Sequence, residues 1–156
     1  MAKKKPLILV IDDQMTVIRA MERMLTDDYE VISALAGDSG IMMARDNLPD
    51  LILLDMVMPE MTGIEVCQRL GRDGLTQNIP VIFVSAMDDR HNEESGFKAG
   101  AVDYINKPAS PAIVHARIRV HLENNRQIKF IEALASGYLN DAEKIRETAK
   151  ELLNIS

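Results

Sequence analysis

Five short apolar runs alternate with stretches of helical periodicity over roughly the first 122 residues, and this alternation constrains the fold more than any other feature. It is the pattern of βαβ units built around a parallel sheet. The runs are Leu7 to Ile11, Glu30 to Ala34, Leu51 to Leu54, Val81 to Val84 and Asp103 to Asn106. The central runs are almost wholly apolar, as strands covered on both faces must be. The second (EVISA) and fifth (DYIN) are mixed, which places them at the sheet edges.

Between the runs, apolar residues recur at helical spacing. Val17, Ile18, Met21, Met24 and Leu25 form one stripe. Ile41, Ala44, Arg45 and Leu48 form a weaker one, and Ile64, Cys67 and Leu70 a third. The stretch from His91 to Ala99 has only Phe97 as a large apolar anchor and contains Gly96, so it is the weakest helix of the set. From Ser110, a cap followed by Pro111 at the first helical position, a long helix runs through Ile113, Ile118, Val120 and Leu122 with no stop before Ser136-Gly137. Asn140 and Glu143 read as a capping pair opening a last helix with Ala142, Ile145, Ala149 and Leu152 on its apolar side. The series Ile128, Ile131, Ala135, Tyr138, Ala142, Ile145, Ala149 and Leu152 is heptad-like, but Gly137 and the Asn140 cap break it into a helical hairpin. The domain reading is therefore residues 1–122 as one domain and 123–156 as a helical appendage, either a dimerisation element or a linker to an output module.

Composition narrows the function classes. The chain of 156 residues has a net charge of −6, which opposes direct nucleic-acid binding, for which a basic surface is required. No apolar run approaches the ~20 residues that span a bilayer. The five apolar residues after Lys3, Lys4 and Lys5 are too few for a secretory signal. One cysteine, Cys67, cannot form an internal disulfide, so a reducing cytoplasm is the expected location. His91, His115, His121 and Cys67 share no metal-ligand spacing, and Met56, Met58 and Met61 read as loop-lining residues.

In a parallel sheet the carboxyl ends of all strands lie along one edge. Asp12 and Asp13 follow the first run, Asp55 the third, Ser85 the fourth and Lys107 the fifth. Taken singly, each has a structural explanation as a cap, a turn residue or a surface lysine. Their joint placement brings carboxylates, a hydroxyl and an ammonium into one crevice, a site for a divalent cation and a phosphoryl group.

The segments LILVIDD, DLILLDMVMPEMTGIEV, PVIFVSA and GAVDYINKP, in that order, resemble the receiver domain of two-component response regulators over about residues 5–122. The resemblance implies a flavodoxin-like, doubly wound five-stranded parallel sheet, here with an extended C-terminal helical segment. It implies that Asp55 accepts a phosphoryl group from a sensor histidine kinase or phosphotransfer protein. Mg²⁺ would be held by Asp13, Asp55 and the Val57 backbone carbonyl, with Asp12 acting largely through water. Lys107 would neutralise phosphoryl oxygens, and Ser85 would hydrogen-bond to the new anion while Tyr104 swings inward behind it. It also implies a cis Lys107-Pro108 peptide and a readout face formed by the fourth helix, fifth strand and fifth helix. Val57 and Met87 stand where faster self-dephosphorylating relatives often carry polar groups, so slow autodephosphorylation is expected. Ala109 departs from the usual bulkier residue without touching a role.

The resulting expectation is a phosphorylation switch acting on a downstream protein or output module, with no substrate turnover of its own, and with a possible homodimer. One alternative is a receiver fragment of a larger cyclic-dinucleotide signalling enzyme. A Mg²⁺-dependent phosphohydrolase using Asp55 is the other, disfavoured because a second aspartate two positions on is replaced by Val57. A nucleotide-binding role lacks the Gly-rich phosphate loop after the first strand.

Overall fold

The structure is a computed structural model that describes residues 4–86, 90–137 and 141–153, with Arg90 and His91 described by backbone only. Lys3, Met87, Tyr138, Asn140 and the His91 side chain, named above, lie outside the described residues. The elements are β1 (Leu7–Ile11), α1 (Met15–Leu25), β2 (Glu30–Ala34), α2 (Gly37–Asn47), β3 (Leu51–Leu54), α3 (Gly63–Arg72), β4 (Val81–Ser85), α4 (Arg90–Lys98), β5 (Asp103–Asn106), α5 (Pro111–Ala135) and α6 (Ala142–Leu153). The chain divides into two compact units, residues 1–117 and 118–156.

In the first unit the strands form one parallel sheet in the order β2-β1-β3-β4-β5, so the two mixed strands do occupy the edges. This is the doubly wound, flavodoxin-like order, with the direction of winding reversing beside β1. Alternate strand residues face opposite sides. Leu9, Ile11, Ile52, Leu54, Val81, Phe83 and Tyr104 pack with Ala44 of α2 and Val66, Cys67 and Leu70 of α3. The other set, Ile8, Val10, Leu51, Leu53, Ile82 and Val84, is equally buried, so helices cover both faces.

Two helices are anchored differently from the expectation. In α2 the buried line is Gly37, Gly40 and Ala44, while Leu48 is exposed and ends the helix in a left-handed conformation at φ 46°. Small residues let α2 approach β1: a Cβ on Gly40 would lie 2.6 Å from Ile11 Cδ1. In α4, Phe97 is 44% exposed and anchors nothing; Gly96 is the inward position, where a Cβ would lie 2.9 Å from Phe83 Cδ2. Close backbone approach thus replaces side-chain anchoring in both.

Helix α5 begins at Pro111, with Ser110 Oγ accepting the Ile113 amide at 3.2 Å. Val114, Ile118 and Leu122 are its buried positions, whereas Ile113 and Val120 are half exposed, contrary to the apolar line drawn through them. In the second unit the chain leaves α5 through Gly137 at φ 75°, and the Lys144 amide is capped at 2.8 Å by Asp141 Oδ1. Leu153 lines a groove of about 330 Å³ with Glu123, Gln127, Phe130 and Ile131, so α6 returns alongside α5 as a hairpin.

Two glycine-to-alanine changes are expected to act in opposite directions. Gly40→Ala forces overpacking against a fully buried Ile11 at about 1–3 kcal/mol, outweighing the ~1 kcal/mol that alanine returns in a helix. Gly71→Ala in α3, where an added Cβ meets nothing within 4 Å, stabilises by about 0.4–1 kcal/mol. Urea unfolding of the two variants reads both signs.

Candidate functional site

The carboxyl end of the sheet is assembled by strand register. Ile11 pairs with Leu54, so Asp12 and Asp55 emerge side by side, and the Asp55 amide donates to the Ile11 carbonyl at 2.9 Å. β4 runs one residue further than expected, through Ser85, which pairs with Asn106; the Lys107 amide then donates to the Ser85 carbonyl at 2.9 Å. The next bond, Lys107-Pro108, is cis as expected. Asp13, Asp55, Val57, Ser85 and Lys107 line one open cleft of about 640 Å³, with Met58 and Pro59 on its apolar side.

Carboxylate oxygens of Asp12, Asp13 and Asp55 all lie within 4.8 Å of one another. Asp12 is not a helix cap, since α1 has no side-chain cap bond. Its Oδ1 instead accepts the Gln14 amide at 2.9 Å, and its Oδ2 accepts Lys107 Nζ at 2.8 Å. The same ammonium lies 3.8 Å from Asp55 Oδ1. Three carboxylates against one ammonium leave two negative charges in a largely buried cluster. Hard oxygen donors with that charge suit Mg²⁺ or Ca²⁺. Burial is the main cause that pushes the Asp55 carboxyl above its ordinary range, with Asp12 and Asp13 adding to it, while Lys107 and the Val57 amide oppose.

The loop after β3 shapes the surroundings of Asp55. Gly63 opens α3 against the end of β3, its amide donating to the Met56 carbonyl at 2.9 Å; a Cβ there would stand 2.2 Å from the Asp55 carbonyl oxygen. This role of Gly63 leaves no mark in the sequence, because it is a tertiary approach with no local motif. Glu60 takes a left-handed conformation at φ 67° in the same loop. Met56, Met58 and Met61 are buried in the core cluster beneath it.

Val57 is 56% exposed at the cleft mouth. Tyr104 is already buried, its ring 6.5 Å from that of Phe83. Among the residues set aside, Cys67 is buried, its thiol pushed up to about 11 by burial, and donates to the Ala99 carbonyl at 3.4 Å. His115 Nε2 lies 2.8 Å from the Met24 carbonyl and its ring stacks on Tyr29.

A parallel sheet of this order carrying an acidic triad and a lysine at its carboxyl edge defines a doubly wound fold with a group of carboxylates that could hold a cation. The family profile "Response regulator receiver domain" matches residues 8–119, and the chain belongs to that family, as a receiver of two-component response regulators. The chain is 42% identical over 113 residues to the response regulator PleD of Caulobacter vibrioides, covering 72% of this chain and 25% of PleD. It is 38% identical over 119 residues to a Vibrio cholerae protein named "Probable cyclic di-GMP phosphodiesterase", covering 76% of this chain and 27% of that protein. The chain thus spans about a quarter of the length of these relatives. Among solved structures, a CheY-like receiver domain protein from Methanospirillum hungatei superposes with a TM-score of 0.74 at 25% identity, covering 80% of this chain and 98% of that one. No helix among the described residues is long and apolar enough to cross a membrane.

A carboxyl group titrating above its ordinary value makes its own ionisation costly to the fold. The cost is absent at pH values below the ordinary carboxylate range, grows as pH rises through the raised value, and is complete at neutral pH. Asp55→Asn is therefore expected to raise the melting temperature of the metal-free protein at pH 7, with the difference shrinking toward about pH 4, near the ordinary carboxylate range. Thermal melts of both proteins across that range, in chelator, make the check. A variant no more stable than the wild type at pH 7 contradicts the charge assignment.

Proposed function

We propose that this chain is a phosphorylation switch in which Asp55 accepts a phosphoryl group from a phosphohistidine of a sensor histidine kinase or phosphotransfer protein. The observation that carries the reading is the meeting of the Asp12, Asp13 and Asp55 carboxylates with the Lys107 ammonium at one sheet edge. In the transfer, an Asp55 carboxylate oxygen forms a bond to phosphorus as the phosphorus–nitrogen bond of the donor imidazole breaks. A carboxylate meets a dianionic phosphoryl group with strong repulsion. Mg²⁺ held by Asp12, Asp13, Asp55 and the Val57 carbonyl would supply the neutralising charge. Lys107, set between Asp12 and Asp55, offers its ammonium to the phosphoryl oxygens.

Ser85 lies at the adjoining strand end, and its hydroxyl donates to the anion once it is formed. Tyr104 and Phe83 lie behind it, so the shift of Ser85 is read out on the face of α4, β5 and α5. Converting such an element from 1:99 to 99:1 requires about 5.5 kcal/mol of differential interaction. A newly formed, metal-neutralised anion is of that order. The protein turns over no substrate of its own, and it works in the cytoplasm.

A second reading concerns context. The chain's span of 27% of a relative named for cyclic di-GMP hydrolysis favours this receiver acting as the input of a longer cyclic-dinucleotide signalling protein.

Intact mass after incubation with acetyl phosphate and Mg²⁺ tests the reading. One added phosphoryl group is expected in the wild type, and none in Asp55→Asn or in chelator. Absence of an adduct in the wild type, with or without release of phosphate, overturns the acceptor role. Val57, an apolar residue at the cleft mouth, offers no group to orient an in-line water, so the acyl phosphate is expected to be long-lived. Val57→Asn should shorten its lifetime by about ten-fold or more, within the usual range for positioning a proton-transfer partner, and an unchanged decay rate would count against the shielding argument.

A further inference from the structure

We infer that the groove between the ends of α3 and α4 binds a small organic anion, a carboxylate on a compact apolar body, at a site separate from the Asp55 cleft. The groove has a volume of about 460 Å³, which is the size of a small-ligand pocket. Cys67 and Leu70 of α3 and Val81 at the start of β4 are its buried apolar lining, and Ala99 and Gly100 of the turn after α4 complete it. It shares no residue with the Asp55 cleft. Val81 opens β4 and Ser85 ends it, so the two sites lie at opposite ends of that strand.

Charge selects the occupant. Two cations, Arg72 and Lys98, line the groove and no acid does, although acids outnumber cations 24 to 18 in the chain. Each cation stands in the last turn of its helix, where it also complements the helix dipole. That role leaves its donors unspent: among the described residues, neither Arg72 nor Lys98 forms an ion pair or a side-chain hydrogen bond. Asp73, the acid beside Arg72 in the chain, is engaged elsewhere, its Oδ2 pairing with Arg45 Nε at 2.9 Å and its Oδ1 accepting the Leu75 amide at 2.9 Å. Carbonyls around the groove are also used internally. The Leu70 carbonyl accepts the buried Thr76 hydroxyl at 2.7 Å, and the Ala99 carbonyl accepts the Cys67 thiol at 3.4 Å. At the end of α4 the Gly96 and Phe97 carbonyls accept the Ala101 and Gly100 amides at 3.2 and 3.0 Å. The polar side chains left open to a ligand are the two cations and the exposed Gln68 and Gln77, and all four can donate. A guanidinium presents a planar fork that matches the two oxygens of a carboxylate. The apolar lining beneath sets the rest of the ligand, since a bare inorganic ion would gain nothing from it.

Titration of the whole chain with benzoate, followed through backbone amide shifts by NMR, decides the matter. A dissociation constant of about 1 mM or tighter is expected for a ligand of this size. The largest shifts should fall at Gly71, Ala99 and Gly100, which line the groove. Arg72→Ala and Lys98→Ala, both at exposed positions, should each weaken binding by about ten-fold, as loss of one charged hydrogen bond does, and leave acetyl phosphate uptake at Asp55 intact. Asp55→Asn should leave benzoate binding unchanged. Benzamide, which keeps the apolar body without the charge, should bind about ten-fold more weakly or worse. Benzamide binding as tightly as benzoate, or inorganic phosphate displacing benzoate at equal concentration, overturns the inference. Shifts centred on Lys107, binding that survives both alanine changes, or no binding at about 10 mM benzoate overturn it as well.

Discussion

An excess of negative charge held at the carboxyl edge of a buried sheet is the constraint on which the rest of this molecule depends. Three carboxylates share the space of one small ion, and Lys107 answers only one of the charges at close range. The arrangement is costly in isolation, as the raised titration of Asp55 shows. It persists because the residues are fixed by strands whose register is set elsewhere: Asp12 and Asp55 by the pairing of β1 with β3, Lys107 by the pairing of β4 with β5. The sheet interior supplies the hydrophobic stabilisation that offsets the charge repulsion at its edge. Sites of this kind are tense by construction, and a bound cation would relieve them.

How far that tension extends depends on how tightly the neighbouring parts are packed. Gly63 holds the loop against the Asp55 carbonyl with no room for a methyl group. Gly96 brings α4 down onto Phe83, with Met56 Cε a further neighbour at 3.3 Å from where its Cβ would be. Phe83 in turn faces the Tyr104 ring. The residue that follows the acceptor, the core aromatic of β4, the backbone of α4 and the edge-strand tyrosine are thus in continuous contact. Close-packed interiors adjust by switching between arrangements and resist gradual deformation. A shift at the Asp55 strand end has little slack to disappear into before reaching α4 and β5.

Much of this was legible in the sequence. The central strand runs are almost wholly apolar and sit between helical stretches, so the parallel sheet, its edge strands and the polar residues at its carboxyl ends follow from local pattern, while the doubly wound order came with the family resemblance. Asp12, Asp13, Asp55, Ser85 and Lys107 were found because each ends an apolar run. What escaped were contacts made by residues with no side chain to reveal them. Gly96 reads as a weak point in a helix and Gly40 and Gly63 carry no local motif, yet each marks a place where two backbones, or a backbone and a core side chain, meet. Phe97 misled for the converse reason: a large apolar residue in a thinly apolar segment looks like an anchor, but the backbone of α4 lies too close to the sheet to place one beneath Gly96. In α5, Val120 stands about 200° around the helix from both Ile118 and Leu122 at roughly 100° per residue, so an apolar series drawn through all three crosses from the buried side to the exposed one.

One long helix serves two units. Residues up to 117 belong to a body whose sheet is covered on both faces. Beyond it, the described residues of α5 and α6 show no buried residue after Leu122, and their apolar side chains are shared between a shallow groove and solvent. Helices gain little from propensity alone; tertiary burial of an apolar face supplies most of their stability. A 25-residue helix anchored at one end by Val114, Ile118 and Leu122 is therefore secure near its start and dependent on further contacts toward Ala135.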